Sequence, residues 1–254
     1  MTSLEVIALQ GLPLIKACDD LVDLLASAFR LNSVTPRVGD VLVVAQKIVS
    51  KAEGRIVDLA TVKPSAKAFA LAAEVDKDPR LVEVILSESI RVVRARRGVL
   101  IVEHRLGFIM ANAGVDQSNV APMDGAHRVL LLPENPDRSA ETLRRGLARV
   151  TGIDVAVVIN DSFGRPWRQG TAGVAIGVAG LPALIDLRGR RDLFGRTLEV
   201  SVVGFTDEVA AAASLVMGQA DEAAPAVLIR GLRWSAPEST AATIVRSPNE
   251  DLFR

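Results

Sequence analysis

The chain has 254 residues, 49% hydrophobic and 24% charged, and its thirty basic and thirty acidic residues leave a formal net charge of zero. These proportions describe a folded globular protein, exclude general disorder, and leave no basic block of the kind that neutralises a phosphate backbone, so nucleic acid is not expected as a partner. A single cysteine, Cys18, and two histidines, His104 and His127, exclude a disulfide framework, a thiolate zinc cluster and a multi-histidine centre; a metal here would have to be held by oxygen.

No apolar run reaches the roughly 18 residues needed to span a bilayer, and Met1 to Glu5 lacks the basic start and long apolar stretch of a signal peptide. A cytoplasmic protein without membrane contact is expected. Leu4 to Leu9 reads as a strand, Gly11 to Ile15 as a turn, and Asp19-Asp20 as the opening of a helix over 21–30 with Leu21, Leu24, Leu25 and Ala28 on one face. Gly39-Asp40 turns the chain into Val41 to Ala45, an uninterrupted apolar run of the kind found in strands buried on both faces. Gln46, Lys47, Ser50 and Lys51 follow at once. On a helical turn, Lys47 and Lys51 share one side, which reads either as a phosphate site or as a solvated lysine face; of the two, Lys51 is expected to meet phosphates and Lys47 to be a solvated neighbour.

Helices are predicted over 64–75 and, capped by Asp78 with Pro79 in first position, to Ser87. Ile90 to Val93 and Val99 to Val102 around Arg96-Arg97-Gly98 form a hairpin pattern, which argues for mixed rather than purely parallel sheet. Gly114 to Asn119 then brings a carboxylate, a hydroxyl and an amide together in Asp116, Ser118 and Asn119. Val129 to Leu132 is a further strand, and Ser139 is expected to cap a helix running to Val150 before Gly152.

The central stretch is Val155 to Gly170. Val155 to Ile159 is a buried strand predicted to end on Asn160, Asp161 and Ser162, beyond which Gly164 and Pro166 break the backbone and Arg165 and Arg168 add two cations. Two endings of this type suggest that Asp116 and Asp161 share a hard cation; the alternative is an Asx-rich turn without ligand. Arg188 to Arg196 reads as a surface loop before a strand over 198–203. Thr206 is expected to cap a helix ended by Gly218, and Ala226 to Ile229 is the last strand. Neither a P-loop nor a Rossmann fingerprint occurs. The expected fold class is mixed α/β (α+β), with parallel and antiparallel pairing and flanking helices. No repeat or linker divides residues 1–254, so a single domain is expected, built as one body or as two lobes whose boundary the sequence does not mark.

Gly11-Leu12-Pro13, Gly39-Asp40-Val41 through Lys47-Ile48-Val49-Ser50-Lys51-Ala52-Glu53-Gly54-Arg55, Gly114-Val115-Asp116 with Ser118-Asn119, and Asp161-Ser162-Phe163-Gly164-Arg165-Pro166-Trp167-Arg168 carry a resemblance. So do Thr206-Asp207-Glu208 with Met217-Gly218, and Asn249 to Phe253. Together these motifs resemble the coenzyme F420-0:L-glutamate ligase (γ-glutamyl ligase) family over essentially the whole chain. The resemblance implies a homodimeric, GTP-dependent ligase that adds L-glutamate to the lactyl-phosphate tail of a deazaflavin (F420-0), then forms γ-linked amides, through an acyl phosphate. It implies two divalent ions, Mg²⁺ or Mn²⁺, with K⁺ as a further ion. Asp116 and Asp161 would be metal ligands, with Ser162 at the second metal. Leu12, Pro13, Leu14, Ile15, Gln46, Lys51, Asn119, Met217, Gly218 and Gln219 would contact GTP, with Asp116, Asp161 and Lys51 taking part in catalysis. Asn160 stands where members of the family often carry Ser or Thr. Some relatives add a C-terminal flavin-binding reductase domain; with the matched motifs ending at Phe253, a ligase alone is expected. A metal-dependent phosphohydrolase or phosphotransferase, and a non-catalytic nucleotide-binding protein, are the competing readings.

Overall fold

The computed structural model describes residues 3–118 and 127–251. In chain order these form β1 (Glu5–Ala8), α1 (Leu21–Leu31), β2 (Val41–Ala45), α2 (Gln46–Ala52), β3 (Ile56–Asp58), α3 (Ala66–Val75), α4 (Pro79–Ser87), β4 (Ser89–Arg96), β5 (Val99–His104) and β6 (Ile109–Ala111). They continue with β7 (Arg128–Leu130), α5 (Pro136–Thr151), β8 (Ala156–Arg165), β9 (Arg168–Ala179), β10 (Ile185–Asp186), β11 (Val202–Val203), α6 (Phe205–Met217) and β12 (Ala226–Arg230).

The principal sheet has the order β1-β12-β2-β8-β9, in which β2 and β8 run parallel and the other neighbours antiparallel. Alternation along the strands splits its side chains between two cores. Leu42, Val44, Val157, Ile159 and Leu228 meet Leu25 and Phe29 of α1 and Leu143 and Leu147 of α5; Val41, Val43, Val158, Val227 and Ile229 meet Val209, Ala213 and Met217 of α6. A sheet buried on both faces needs apolar residues at successive positions, which is why β2 and the first half of β8 read as continuous apolar runs. A second assembly packs α3 and α4 on the antiparallel sheet β4-β5-β6, around Val82, Ile85, Leu100 and Val102. The mixed fold class is as expected.

Local signals set most of the helix starts. Asp20 accepts from the amides of Val22 and Asp23, and Asp78 from that of Arg80 ahead of Pro79. Four boundaries differ from expectation. The 64–75 helix starts at Ala66 with Ser65 as cap. Asn135, not Ser139, caps α5, because Pro136 fits the first helical position and leaves Ser139 a turn inside the helix. Gly204, not Thr206, precedes α6; Thr206 is buried, its hydroxyl 3.5 Å from the Ala183 carbonyl. Of the strand expected over 198–203, only Val202–Val203 pairs, with β10.

One buried ionic cluster ties the second assembly to α2. Glu88, just past α4, takes both of its oxygens to Arg55 Nη2 at 3.0 Å and one to Arg105 Nε at 3.0 Å, with His104 Nε2 3.5 Å away. Burial pushes the Glu88 carboxyl up, but His104, Arg55 and Arg105 outweigh it and hold it down at about 2, below its ordinary 4.5. An acid lowered in this way stabilises the fold above its unfolded value and loses that contribution as pH falls from about 4.5 toward 2. Glu88→Gln is therefore expected to cost about 3 kcal/mol in urea unfolding at pH 7 and almost nothing at pH 2. A pH-independent difference would mean that packing, not charge, is what Glu88 supplies.

Candidate active site

The carboxyl end of β2 leads directly into α2, so Lys47 and Lys51 leave the sheet on one side of a single helical segment. Gln46, at the start, is buried and accepts from the Ser50 hydroxyl at 2.9 Å, which ties the first turn to the second. The Leu12 to Ile15 segment runs nearby: Leu12 and Ile15 join the core beside α1, and the Cys18 amide donates to the Ala52 carbonyl at 2.9 Å at the end of α2. Leu14 is exposed, and Pro13 lines an open groove on α1 with Gly11, Leu24, Ala28 and Leu31; none of the site carboxylates borders that groove.

Asp116 reaches the site through a turn of three consecutive left-handed residues, Asn112, Ala113 and Gly114, with φ of 53°, 54° and 66°. Two of the three are not glycine, so the turn is strained, and buried Ala113 holds it in place. At Gly114 a Cβ would approach Leu132 to 2.9 Å. Beyond the turn, Asp116 exchanges both backbone hydrogen bonds with Leu130.

Lys47 Nζ lies 2.7 Å from Asp116 Oδ2 and donates to Ser118 Oγ at 2.6 Å. Lys47 is thus the cation that pairs with Asp116, and its expected role as a solvated neighbour is corrected: the turn carrying Asp116 folds over α2, a contact across 71 residues of sequence. Burial pushes Asp116 up, but Lys47 and the Ser118 amide outweigh it, leaving the carboxyl below its usual range. Lys51 is pushed down, first by burial and then by the Lys47 charge, with Asp116 opposing. Asn119 lies outside the described residues.

The polar run after Ile159 does not end the strand. β8 continues through Asn160, Asp161, Ser162 and Phe163 to Arg165, shifts register at Ile159/Asn160, and turns at Pro166-Trp167 into β9. The expected break at Gly164 is corrected. Asn160 pairs with Ala45, the last residue of β2, Asp161 and Ser162 extend past it, and all three pair with a glycine-rich partner: Asn160 faces Ala175, Asp161 faces Val174 and Ser162 faces Gly173. Successive side chains then point to opposite faces. Phe163, two residues beyond Asp161, and Val174, opposite it, pack on the α1/α5 core. Asn160 and Ser162 face α6: Asn160 Nδ2 donates to Ser214 Oγ at 3.1 Å and lies 3.6 Å from Met217 Sδ, and Ser162 Oγ donates to Gln219 Oε1 at 2.8 Å. Gly218 ends α6 with a left-handed φ of 74° and turns Gln219 toward Ser162. Of the two arginines, Arg168 is exposed at the hairpin tip.

Burial pushes the Asp161 carboxyl up to about 7; the Asp116 charge adds to this, while the Ser162 amide and Lys47 oppose it. It makes no ion pair among the described residues. A crowded carboxylate in this condition, beside a second carboxylate, suits a divalent cation. No group of three or more His, Cys, Asp or Glu able to hold a metal occurs among the described residues. Among the described residues, a cation here would have Asp116 and Asp161 as its charged ligands, in keeping with Mg²⁺, which binds one or two carboxylates together with substrate phosphates. Asn160 Oδ1 is buried without a hydrogen-bond partner, on the α6 side of the same strand. Sequence reasoning missed Ser214 and Gln219 as partners of the β8 residues, since 54 and 57 residues separate them.

The model of the F420-0:Gamma-glutamyl ligase family matches residues 11–231. The chain is 47% identical to the coenzyme F420:L-glutamate ligase of Methanopyrus kandleri across the whole of both chains, and 47% identical to that of Methanothermobacter thermautotrophicus across 99% of each. It is 44% identical to the coenzyme F420:L-glutamate ligase of Archaeoglobus fulgidus across 98% of this chain and 96% of that one. The fold thus belongs to an enzyme of the ligase class. The chain is a member of the F420-0:gamma-glutamyl ligase family.

Proposed function

We propose that this protein is a GTP-dependent ligase that joins L-glutamate to the carboxylate of the deazaflavin F420-0 and then extends it by γ-linked amides. The observation that carries the reading is the full-length similarity to coenzyme F420:L-glutamate ligases in a chain that gathers Lys47, Lys51, Asp116 and Asp161 from α2, the turn after β6, and β8. The GTP γ-phosphoryl group passes to the substrate carboxylate. The glutamate amine then attacks the acyl carbon, forming the C–N bond and releasing phosphate with the electron pair of the broken C–O bond. Little covalent work falls to the protein, which holds the reactants in line and offsets phosphate charge. Lys51 meets the phosphates, while Asp116 and Asp161 would hold Mg²⁺ or Mn²⁺. Such an ion, when bound, neutralises charge on the transferring group. Two divalent ions, a K⁺ ion and a homodimer complete the proposal, for a protein acting in the cytoplasm. Among the described residues no helix is long and apolar enough to cross a membrane.

Mass spectrometry of the deazaflavin after incubation with GTP, Mn²⁺ and L-glutamate tests the reading. Products heavier by one or more glutamyl residues are expected; GTP hydrolysis that ignores glutamate would favour a phosphohydrolase instead. Lys51→Ala is expected to weaken GTP binding about tenfold or more in titration calorimetry, the scale of a lost charge-assisted contact. Lys47→Ala should weaken it less, and should tighten divalent-ion binding by freeing Asp116. Equal small effects on GTP would remove Lys51 from the phosphate site.

A further inference from the structure

A cavity of about 220 Å³ beside β9 is lined by Phe108, Phe163, Val174, Asp207, Val245 and Arg246, among others. Neither Asp116 nor Asp161 lines it, but two of its lining residues, Val174 and Phe163, flank Asp161. Val174 is the cross-strand partner of Asp161, a relation that sets Cβ atoms about 5 Å apart, and Phe163 follows Asp161 on the same face at about 7 Å. Phe108 and Phe163 meet edge to face, with ring centroids 5.8 Å apart, to form an apolar wall. Opposite charges stand at different depths. Asp207 is partly buried in the first turn of α6; its Oδ1 accepts from the Ala175 amide at 2.9 Å, and its other oxygen has no hydrogen bond among the described residues. Arg246 is exposed at the mouth and makes no ion pair among the described residues. Asp251, also on the lining, has an interaction of its own.

We propose that this cavity is the amino-acid subsite, in which Asp207 receives the ammonium of L-glutamate and Arg246 a carboxylate, so that the nitrogen lies inward and the carboxylate at the mouth. The assignment rests on the proposed function and adds where one of its substrates sits. Size and position both favour the amino acid over the deazaflavin. The cavity is smaller than the roughly 300 Å³ at which pockets for drug-sized ligands begin. Its wall residues Val174 and Phe163 also flank Asp161, whereas the aromatic ring would lie a lactyl-phosphate tail away from the reacting carboxylate. Burial pushes the Asp207 carboxyl up, a cost that an ammonium partner offsets.

Steady-state kinetics of Arg246→Ala and Asp207→Asn, with GTP, F420-0, Mn²⁺ and varied L-glutamate, test the assignment. Each variant is expected to raise the KM for L-glutamate about tenfold or more while leaving the KM for GTP within about twofold. Arg246→Lys should recover part of the loss. Asn can still accept from the Ala175 amide, and Arg246 is exposed, so melting temperatures near wild type are expected and separate binding from misfolding. An unchanged glutamate KM in active variants, or a parallel rise in the KM for GTP, would overturn the subsite and leave the ligase standing. A wild-type protein that consumes no GTP in response to glutamate would overturn both.

Discussion

Asp161→Asn is expected to lower turnover by about two orders of magnitude or more while making the metal-free protein harder to unfold. The activity loss follows from removing one of two carboxylates that would hold the cation at a transferring phosphoryl group. The gain in stability follows from the same environment. A carboxyl raised from 3.8 to about 7 binds its proton more tightly folded than unfolded, so the fold loses stability as pH rises from about 4 through 7. At pH 8 the penalty is at most about 4 kcal/mol, and the neutral amide escapes it. The variant should therefore melt several degrees above wild type at pH 8 and level with it near pH 4. Mn²⁺ should raise the melting temperature of wild type and leave the variant unmoved. A variant that melts lower than wild type at pH 8 would show that Asp161 is satisfied as a carboxylate without metal.

Gly173→Ala should disrupt the packing of α6 on the strand that pairs with the site. A Cβ there would lie 2.2 Å from Ser214 Oγ and 2.5 Å from the Ala210 carbonyl oxygen. The hydroxyl can rotate away, but the carbonyl belongs to the α6 backbone, so the helix has to move off β9. Overpacking of this kind costs about 1–3 kcal/mol, which for a chain of this size lowers the melting temperature by roughly 5 °C. Because α6 delivers Met217 and Gln219 to the face of Asn160 and Ser162, the shift should also reduce turnover. Wild-type melting and activity in this variant would mean that α6 yields without consequence.

What could be read from the sequence was what short stretches decide. Val41 to Ala45 and Val155 to Ile159 are apolar at every position because both faces of the sheet are covered, and no helix fits so short a run. Asp20 and Asp78 cap helices through bonds spanning two or three residues, and Arg96-Arg97-Gly98 closes its hairpin locally. The second half of β8 escaped because its pattern is set by a partner: polar Asn160 to Ser162 stay in a strand by pairing with Val174 and its neighbours. At α5, Ser139 and Asn135 are both good caps, and Pro136 decides between them. In the site, the aspartates stood out as strand endings, but the pairing of Lys47 with Asp116 depends on how the turn of left-handed residues folds back over α2. Asp207 and Asp251 fall within stretches that carry the family resemblance, but their meeting at the amino-acid cavity was not legible, since its lining comes from strands, loops and α6 far apart in the chain.

Asp161 and Ser162 are neighbours in β8 whose side chains leave by opposite faces, one toward Asp116 and Lys47 and the other toward Gln219 at the end of α6. A single peptide plane is therefore common to both regions. Tilting it to improve a contact on one face changes the aim of the side chain on the other, and by linkage the two faces must influence each other equally. Ligands seated on the two sides would bind with interdependent affinities even without touching, each shifting the other by the same factor through one strand's backbone.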